Sequence, residues 1–305
     1  MRPAATLSAP PSAPAVCCAV AAQAALCLTA DQIAPLRKPI HPVTGEPLAP
    51  AFLKNADEQT VAAVAAVFQA IRDYKLEREC FTDWGAIAAP RFLGRATMSQ
   101  VLHRFQQEGA WGISPHHIPH RSLHAVSGTI SQALTLHGPN FGVGGGPGAD
   151  GEAMLIAAGL LAQRAVPGLW VVMSGHTPEM LPADPNTPPT PPPDPAPICS
   201  VVALALMPSP LPPSVAGDGW RVAGEEGASL ASPATHHPSP ATLRGRLQFQ
   251  VRAGAPSDAD SRAPVFSVEA LRQVLLGEGR APLGGWSLSC GGRVELQRAT
   301  GENCL

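Results

Sequence analysis

A unit of five consecutive segments in residues 114–179 constrains the fold of this chain more than any other feature of its sequence. The unit comprises a helix, a short apolar segment, a run of glycines, a second helix and an apolar strand, with the sequences SLHAVSGTISQALTLHG, NFGV, GGGPGADG, EAMLIAAGLLAQRAV and LWVVMSG. This alternation is typical of a mostly parallel α/β sheet. Because ligands of such sheets bind beyond the carboxyl ends of the strands, we expect a site near the glycine turn, residues 144–151.

The flanking sequence continues the same pattern of helices and strands. Residues 16–28 are small and apolar throughout, which is typical of a central strand that is covered on both faces. Helical spacing of apolar residues predicts a helix over residues 55–74. Further predicted elements are strands at 84–89, 198–207 and 245–253, helices at 98–107 and 267–276, and a hairpin at 286–298 around Gly291 and Gly292.

Proline and glycine divide the chain into three parts. Residues 1–15 are predicted to be a disordered tail rich in proline and alanine, and residues 16–207 form the α/β domain. A proline-rich loop, residues 182–197, interrupts that domain because so many prolines exclude both helix and sheet. Residues 208–305 are predicted to be a partly irregular C-terminal extension.

Composition narrows the classes of partner. A formal net charge of -2 gives no electrostatic reason to expect nucleic acid or an anionic membrane surface. The longest apolar run falls short of the ~20 residues that a membrane span requires. Residues 1–30 could be a signal peptide, but a single cation precedes the alanine-rich run and no clean cleavage site follows it, so we favour a disordered leader and expect a cytoplasmic protein. The seven cysteines lack paired spacing, which predicts buried thiols in a reducing compartment, with neither a disulfide framework nor a zinc site.

Residues 114–143 resemble the N-terminal half of beta-ketoacyl synthases. The shared pattern is a Ser-Pro pair, an apolar-Pro turn, a helix with an internal Ser-Gly, then Leu-x-Gly-Pro and a strand, and residues 114–139 fit it without a gap. The segment VVMSGHTPE and the strand after it also resemble the family. The resemblance covers about residues 16–207. It implies half of a thiolase-like fold, in which helices cover a mixed five-stranded sheet.

The chain departs from this family at the position of its reactive residue. The family uses a cysteine at a helix N-terminus, where the thiol pKa is lowered, and two histidines from a second half. Here the Thr-Ala-Cys segment falls on Gly145, Gly146 and Pro147, followed by Gly148. The histidine motifs of the second half do not occur, and His236 and His237 lie in a proline-rich stretch without that context. We therefore expect no catalytic residue at Pro147.

Three functions are compatible with these residues. The favoured one is a non-catalytic ketosynthase-like subunit of the chain-length-factor type in fatty-acid or polyketide-type biosynthesis. It would pair with an active ketosynthase or form a homodimer, and would also contact an acyl carrier protein. The first alternative is an acyltransferase or ketosynthase-like enzyme that uses a residue other than cysteine. The second is a nucleotide-binding module, because residues 146–151 formally satisfy GxGxxG.

The remaining candidate residues are histidines and serines. His176 follows a predicted strand at its carboxyl end and, with Ser174 and His124, is expected to line a pocket. His116, His120 and His124 are spaced four apart, but the prolines nearby leave only His120 and His124 able to share one helical face. We expect surface or interface histidines there, and neither a metal nor a cofactor.

Overall fold

The computed structural model describes residues 15–76, 79–180, 196–209, 247–253, 263–276, 285–289 and 291–298. The strands are β1 (Ala15–Leu28), β2 (Gly85–Pro90), β3 (Asn140–Gly142), β4 (Leu169–Thr177), β5 (Ile198–Pro208), β6 (Leu247–Arg252), β7 (Gly285–Ser287) and β8 (Arg293–Arg298). The α-helices are α1 (Ala30–Ile33), α2 (Glu58–Asp73), α3 (Arg95–Glu108), α4 (His117–Arg121), α5 (His124–Leu134), α6 (Ala149–Ala162) and α7 (Val268–Leu275). Two short 3-10 helices cover Ala34–Arg37 and Gly109–Gly112.

All the described strands belong to one mixed sheet with the order β3-β2-β4-β5-β1-β6-β8-β7. The pairs β2–β3 and β2–β4 are parallel, and the other neighbours are antiparallel. The predicted α/β class with a mixed, helix-covered sheet is confirmed, and the sheet has eight described strands where the thiolase-like half implies five. Five strands come from residues 15–208, and the C-terminal extension adds three more beyond β1.

Helices cover both faces of the sheet. Helices α2 and α5 pack on one face, and α6 and α7 pack on the other. Strands β2 and β4 are buried except for the last residue of β4, which explains their continuous apolar sequences. In α2 the buried face is rich in alanine, and these small side chains let the helix lie close to β1 and β5.

The C-terminal extension is part of the same folded unit. Strand β6 pairs with β1 from Ala15↔Arg252 to Ala19↔Gln248. Phe249, Phe266 and Trp286 from the extension are buried in the core cluster that also contains α6. These large side chains supply apolar area that the alanine-rich strands lack.

Most predicted elements agree with the structure, with shifted boundaries. Helix α6 begins at Ala149 rather than at Glu152, so the second half of the predicted glycine turn is helical. The hairpin around Gly291 and Gly292 is present as β7 and β8, which pair antiparallel. The predicted tail, apart from Ala15, most of the loop 182–197 and much of the extension lie outside the described residues. Among the described residues, no helix has the length and apolar character to cross a bilayer.

Candidate functional site

The glycine turn connects β3 to the N-terminus of α6. Gly144 and Gly145 have φ angles of +68° and +110°, a left-handed region that glycine adopts without strain. Gly142 approaches the backbone of Leu123 so closely that any Cβ would overlap it. The turn therefore lies against the start of α5, and its shape requires glycine at these positions.

Residues of the C-terminal extension cover the N-terminus of α6. Ser289 lies against Gly148, and Leu288 lies 3.0 Å from where a Cβ of Gly151 would be. The Asp150 carboxylate accepts a hydrogen bond of 2.8 Å from the backbone N–H of Val268, the first residue of α7. Burial raises the pKa of Asp150 to about 7. Asp150, which lies in the first turn of α6, therefore binds the start of α7.

The same contacts affect whether the GxGxxG segment, residues 146–151, can bind a phosphate. A phosphate at a helix N-terminus needs free backbone N–H groups and open space in front of them. Pro147 has no N–H, and the space beside Gly148 and Gly151 holds Ser289 and Leu288. The arrangement does not favour a nucleotide phosphate at this turn.

The cavity at the carboxyl edge of the sheet lies beside the N-terminus of α2. Its volume is about 190 Å³. It is bounded by residues after β2, by the end of β4 and by the N-terminal cap of α2. Its polar lining residues are Arg37, Asp57, Glu58, Gln59, Arg95, Thr97, Arg121 and His176. We call it the edge cavity. Its position beyond the strand ends is where an α/β sheet binds its ligands, although the glycine turn itself does not line it.

His176 lies in the edge cavity, close to Glu58. Its side chain is only 8% exposed, and its Nε2 lies 3.5 Å from Glu58 Oε2. This proximity holds the pKa of the Glu58 carboxyl below its usual range. The Nε2 atom is buried and makes no hydrogen bond within the described part of the chain. A buried ring nitrogen that has a carboxylate nearby but makes no hydrogen bond is a feature that requires an explanation.

Ser174 does not line the edge cavity. Its hydroxyl is buried and donates a 2.8 Å hydrogen bond to Gln59 Oε1. The Gln59 side-chain amide in turn donates to the backbone carbonyl of Arg91 at 3.0 Å. Ser174 therefore ties the end of β4 to the start of α2 and the segment after β2.

The histidines of residues 116–124 are divided between two helices. Helix α4 ends at Arg121, Ser122 is extended, and α5 begins at His124. His120 and His124, whose spacing permits a shared helical face, therefore lie on different helices. His124 is exposed, its Nδ1 lies 3.4 Å from Ser127 Oγ, and it lines neither cavity described here.

A second cavity of about 320 Å³ adjoins the edge cavity, and Arg37, Ala56 and Arg121 line both. The residues that line only this second cavity are Lys54, Asn55, Ser114, His116, His117 and His120. Within the described residues, no group of three or more His, Cys, Asp or Glu has metal-binding geometry. The sequence identified these histidines but not the arginines beside them, because Arg37 and Arg121 are far apart in the chain.

None of the described cysteines belongs to the glycine turn or to α6. Cys18 and Cys199 are buried, and burial raises the pKa of both thiols, that of Cys18 to about 12. Cys27 and Cys80 are exposed, so the prediction that the thiols are buried is wrong for these two. Cys290 and Cys304 lie outside the described residues.

No protein-family model and no curated protein matches the sequence. Solved structures that are similar to the chain include ketosynthases and chain length factors. The ishigamide ketosynthase/chain length factor is 17% identical, with 64% of each chain covered and a TM-score of 0.44. A type II polyketide synthase acyl-carrier protein in complex with its ketosynthase is 14% identical, with 63% of each chain covered and a TM-score of 0.44.

A third similar structure is a ketosynthase in complex with its chain length factor from Xenorhabdus doucetiae. It is 15% identical, with a TM-score of 0.42 and coverage of 65% of this chain and 59% of that chain. In all three comparisons the match spans less than two thirds of the solved chain.

Proposed function

We propose that this chain is a non-catalytic, ketosynthase-like subunit of the chain-length-factor type, acting in fatty-acid or polyketide-type biosynthesis in the cytoplasm. The proposal starts from the motifs of residues 114–143 and from the thiolase-like half that they imply. Its partner would be an active ketosynthase, with a homodimer as the second form and an acyl carrier protein as a further contact.

The main observation in support of the proposal concerns the sequence and the surroundings of the N-terminus of α6. In the family that the sequence resembles, a thiol at this position reacts with the acyl group. Here the turn is Gly-Gly-Pro, and Leu288 and Ser289 lie against the first turn of the helix. A covered helix end whose own turn, residues 144–151, contains no cysteine supports a role in which another chain performs the condensation.

The edge of the sheet at β3 supports pairing with a second subunit. Strand β3 is the last strand on its side, and its described neighbour is β2. The carbonyl of Pro139 and the N–H of Val143 bond to β2, so the backbone groups of Asn140 and Gly142 point to the other side. An unpaired strand edge is a template for a strand of another chain. Helix α5, which precedes β3, would lie in the same interface.

Co-expression with the ketosynthase encoded nearest to this gene tests the proposal. We expect the two chains to elute together in size-exclusion chromatography, and the length of the acyl product to change when this chain is left out. Separate elution, together with an unchanged product, would reject the subunit role.

An acyltransferase is the second candidate, and one contact favours it. The Ser289 side chain lies at the N-terminus of α6, where helix N–H groups stabilise a developing oxyanion. Incubation of the pure chain with radiolabelled acyl-CoA should leave it unlabelled if the subunit role is correct. Label that is retained by the wild type and lost in Ser289→Ala would favour the acyltransferase instead.

A further inference from the structure

Three buried nitrogen atoms of the edge cavity lack hydrogen-bond partners. They are His176 Nε2, Arg95 Nε and Arg121 Nε, and none of them makes a hydrogen bond within the described residues. Arg121 Nε has a carboxylate nearby, but Asp57 Oδ2 lies 3.7 Å away, beyond hydrogen-bond distance. An unpaired buried polar group costs roughly 1–3 kcal/mol. Three such groups around one cavity indicate a ligand that accepts hydrogen bonds.

The cations of the edge cavity are held in fixed positions. Arg37 donates two hydrogen bonds of 2.9 Å to the carbonyls of Leu53 and Ala56. Arg95 is ion-paired with Glu179, and its guanidinium carbon lies 4.3 Å from the ring centre of Phe92. Side chains that are fixed before a ligand arrives lose little conformational entropy when it binds. The cavity is thus organised in advance for a negatively charged group.

The carboxylates of the edge cavity are already engaged with cations or with the helix. Asp57 caps α2 by accepting a hydrogen bond from Gln59 N at 3.0 Å, and its other oxygen faces Arg121. Glu58 lies beside His176. Arg95 pairs with Glu179 and Arg121 faces Asp57, whereas Arg37, the third lining arginine, binds backbone carbonyls. The cavity therefore presents cationic donors in fixed positions.

We infer that the edge cavity is a binding site for an oxyanion, the phosphate or carboxylate group of a small metabolite, held by Arg95, Arg121 and His176. A cavity of about 190 Å³ accommodates a group of this size. The adjoining cavity, which shares Arg37 and Arg121, accommodates the rest of such a molecule, and Lys54 adds a positive charge there. Recognition of an oxyanion by arginine and histidine donors is electrostatic, directional and dependent on salt.

Titration calorimetry of the full-length chain with inorganic phosphate, and separately with malonate, tests this inference. We expect saturable binding of at least one of the two, with a dissociation constant of about 1 mM. The anion that binds more tightly identifies the source of the group as phosphate or carboxylate. Substitutions Arg95→Gln and His176→Gln should each weaken binding about tenfold or more, because each removes a donor that faces the anion.

Arg104→Gln is the matched control. Arg104 is an exposed arginine on the same helix as Arg95 that pairs with Glu108 and does not line the edge cavity, so its loss should leave binding unchanged. Arg95 is also 35% exposed, and its substitution should leave the fold intact even where that of His176 does not. Absence of saturable binding of both anions up to about 50 mM, or equal binding by Arg95→Gln and wild type, would reject the site. The result is independent of whether the chain elutes with a ketosynthase.

Discussion

The buried carboxyl of Asp150 links two parts of the chain that are far apart in sequence. One oxygen accepts the N–H of Val268, and the other makes no hydrogen bond within the described residues. Because the carboxylate is poorly solvated, the protonated form is favoured in the folded protein. The acidic residues of α6 could be assigned to its first turn from sequence, but the partner of Asp150 lies 118 residues away and has no sequence signal.

The pH dependence of stability should reveal Asp150. Its pKa is about 7 in the folded state against an ordinary value near 3.8, so the folded state binds more protons between these values. The free energy of unfolding should therefore decrease as pH rises through this window, by an amount on the order of a few kcal/mol. In Asp150→Asn the decrease should be smaller, because the amide cannot ionise and its oxygen can still accept the Val268 N–H.

Urea unfolding at about pH 4.5 and pH 7.5 measures this difference. Glu152→Gln, in the same turn of α6 but less buried, is the matched control and should keep the pH dependence of the wild type. If the free energy of unfolding of Asp150→Asn decreased between these pH values as much as that of the wild type, Asp150 would not be the source of the pH dependence.

His176 and the arginines around it show what sequence reasoning finds at the residue scale. His176 could be placed at a strand end because the strand before it is a long apolar run. Its neighbours could not, because Arg37, Glu58 and Arg121 meet it only through tertiary packing. A sequence pattern predicts the element on which a residue lies, whereas tertiary contacts determine which charged side chains surround it.

At the scale of elements, an ion pair holds helix α7 against the sheet. Arg91, directly after β2, donates to both carboxylate oxygens of Glu269 in the first turn of α7, at 3.2 Å and 2.5 Å. Burial alone would raise the pKa of Glu269, but Arg91 lowers it. The ion pair and the contact of Asp150 with Val268 both hold the start of α7 against strands from the first half of the chain.

We expect removal of one partner of this pair to destabilise the fold. Arg91→Met leaves a partly buried carboxylate unpaired and should cost about 1–3 kcal/mol in the free energy of unfolding. Most of this difference between variant and wild type should vanish at a pH well below the pKa of Glu269, because the protonated carboxyl no longer needs its partner.

Chemical unfolding of Arg91→Met and of the control Glu108→Gln measures the effect. Glu108 belongs to an exposed i,i+4 pair with Arg104, so its loss should change stability by less than about 0.5 kcal/mol. Equal effects of the two substitutions would show that the pair at α7 contributes no more than a surface pair.

Element boundaries differ from the sequence prediction for local reasons. Helix α6 starts earlier than predicted because Pro147 and Gly148 permit a turn, and Ala149 and Asp150 then fit the first helical turn. The four-residue spacing of the histidines does not predict the boundary between α4 and α5, because the extended Ser122 separates these two helices. Apolar runs such as β1 and β5 were predictable nearly to the residue, because burial on both faces leaves little alternative.

At the scale of the whole molecule, the order of strands could not be read from the sequence. The pairing of β6 with β1 joins the extension to the first strand, although about 230 residues separate them. No local pattern specifies such a pairing, which depends on the apolar face that Phe249 and Val251 complete. The sequence predicts the five strands of residues 15–208. It also predicts the three additional strands as segments, but not their positions in the sheet.

Asn140→Pro tests the β3 edge as a subunit interface. The Asn140 N–H points away from β2, so proline removes an edge donor and keeps the hydrogen bonds of Pro139 and Val143 with β2. We expect the variant to fold and to lose most of its co-elution with the partner ketosynthase.

Asp73→Asn, at the exposed C-terminal end of α2, is the control and should co-elute as the wild type does. Unchanged co-elution of a folded Asn140→Pro chain would exclude this edge from the interface.

The position of β1 in the middle of the sheet has a consequence for how the protein is made. Its neighbours β5 and β6 follow it by roughly 170 and 230 residues, and ribosomes add about 5–20 residues per second. The first strand thus emerges roughly ten to thirty seconds before another strand can pair with either of its edges. Until then both edges of the strand are open to pairing with other chains, and slower translation would lengthen that period.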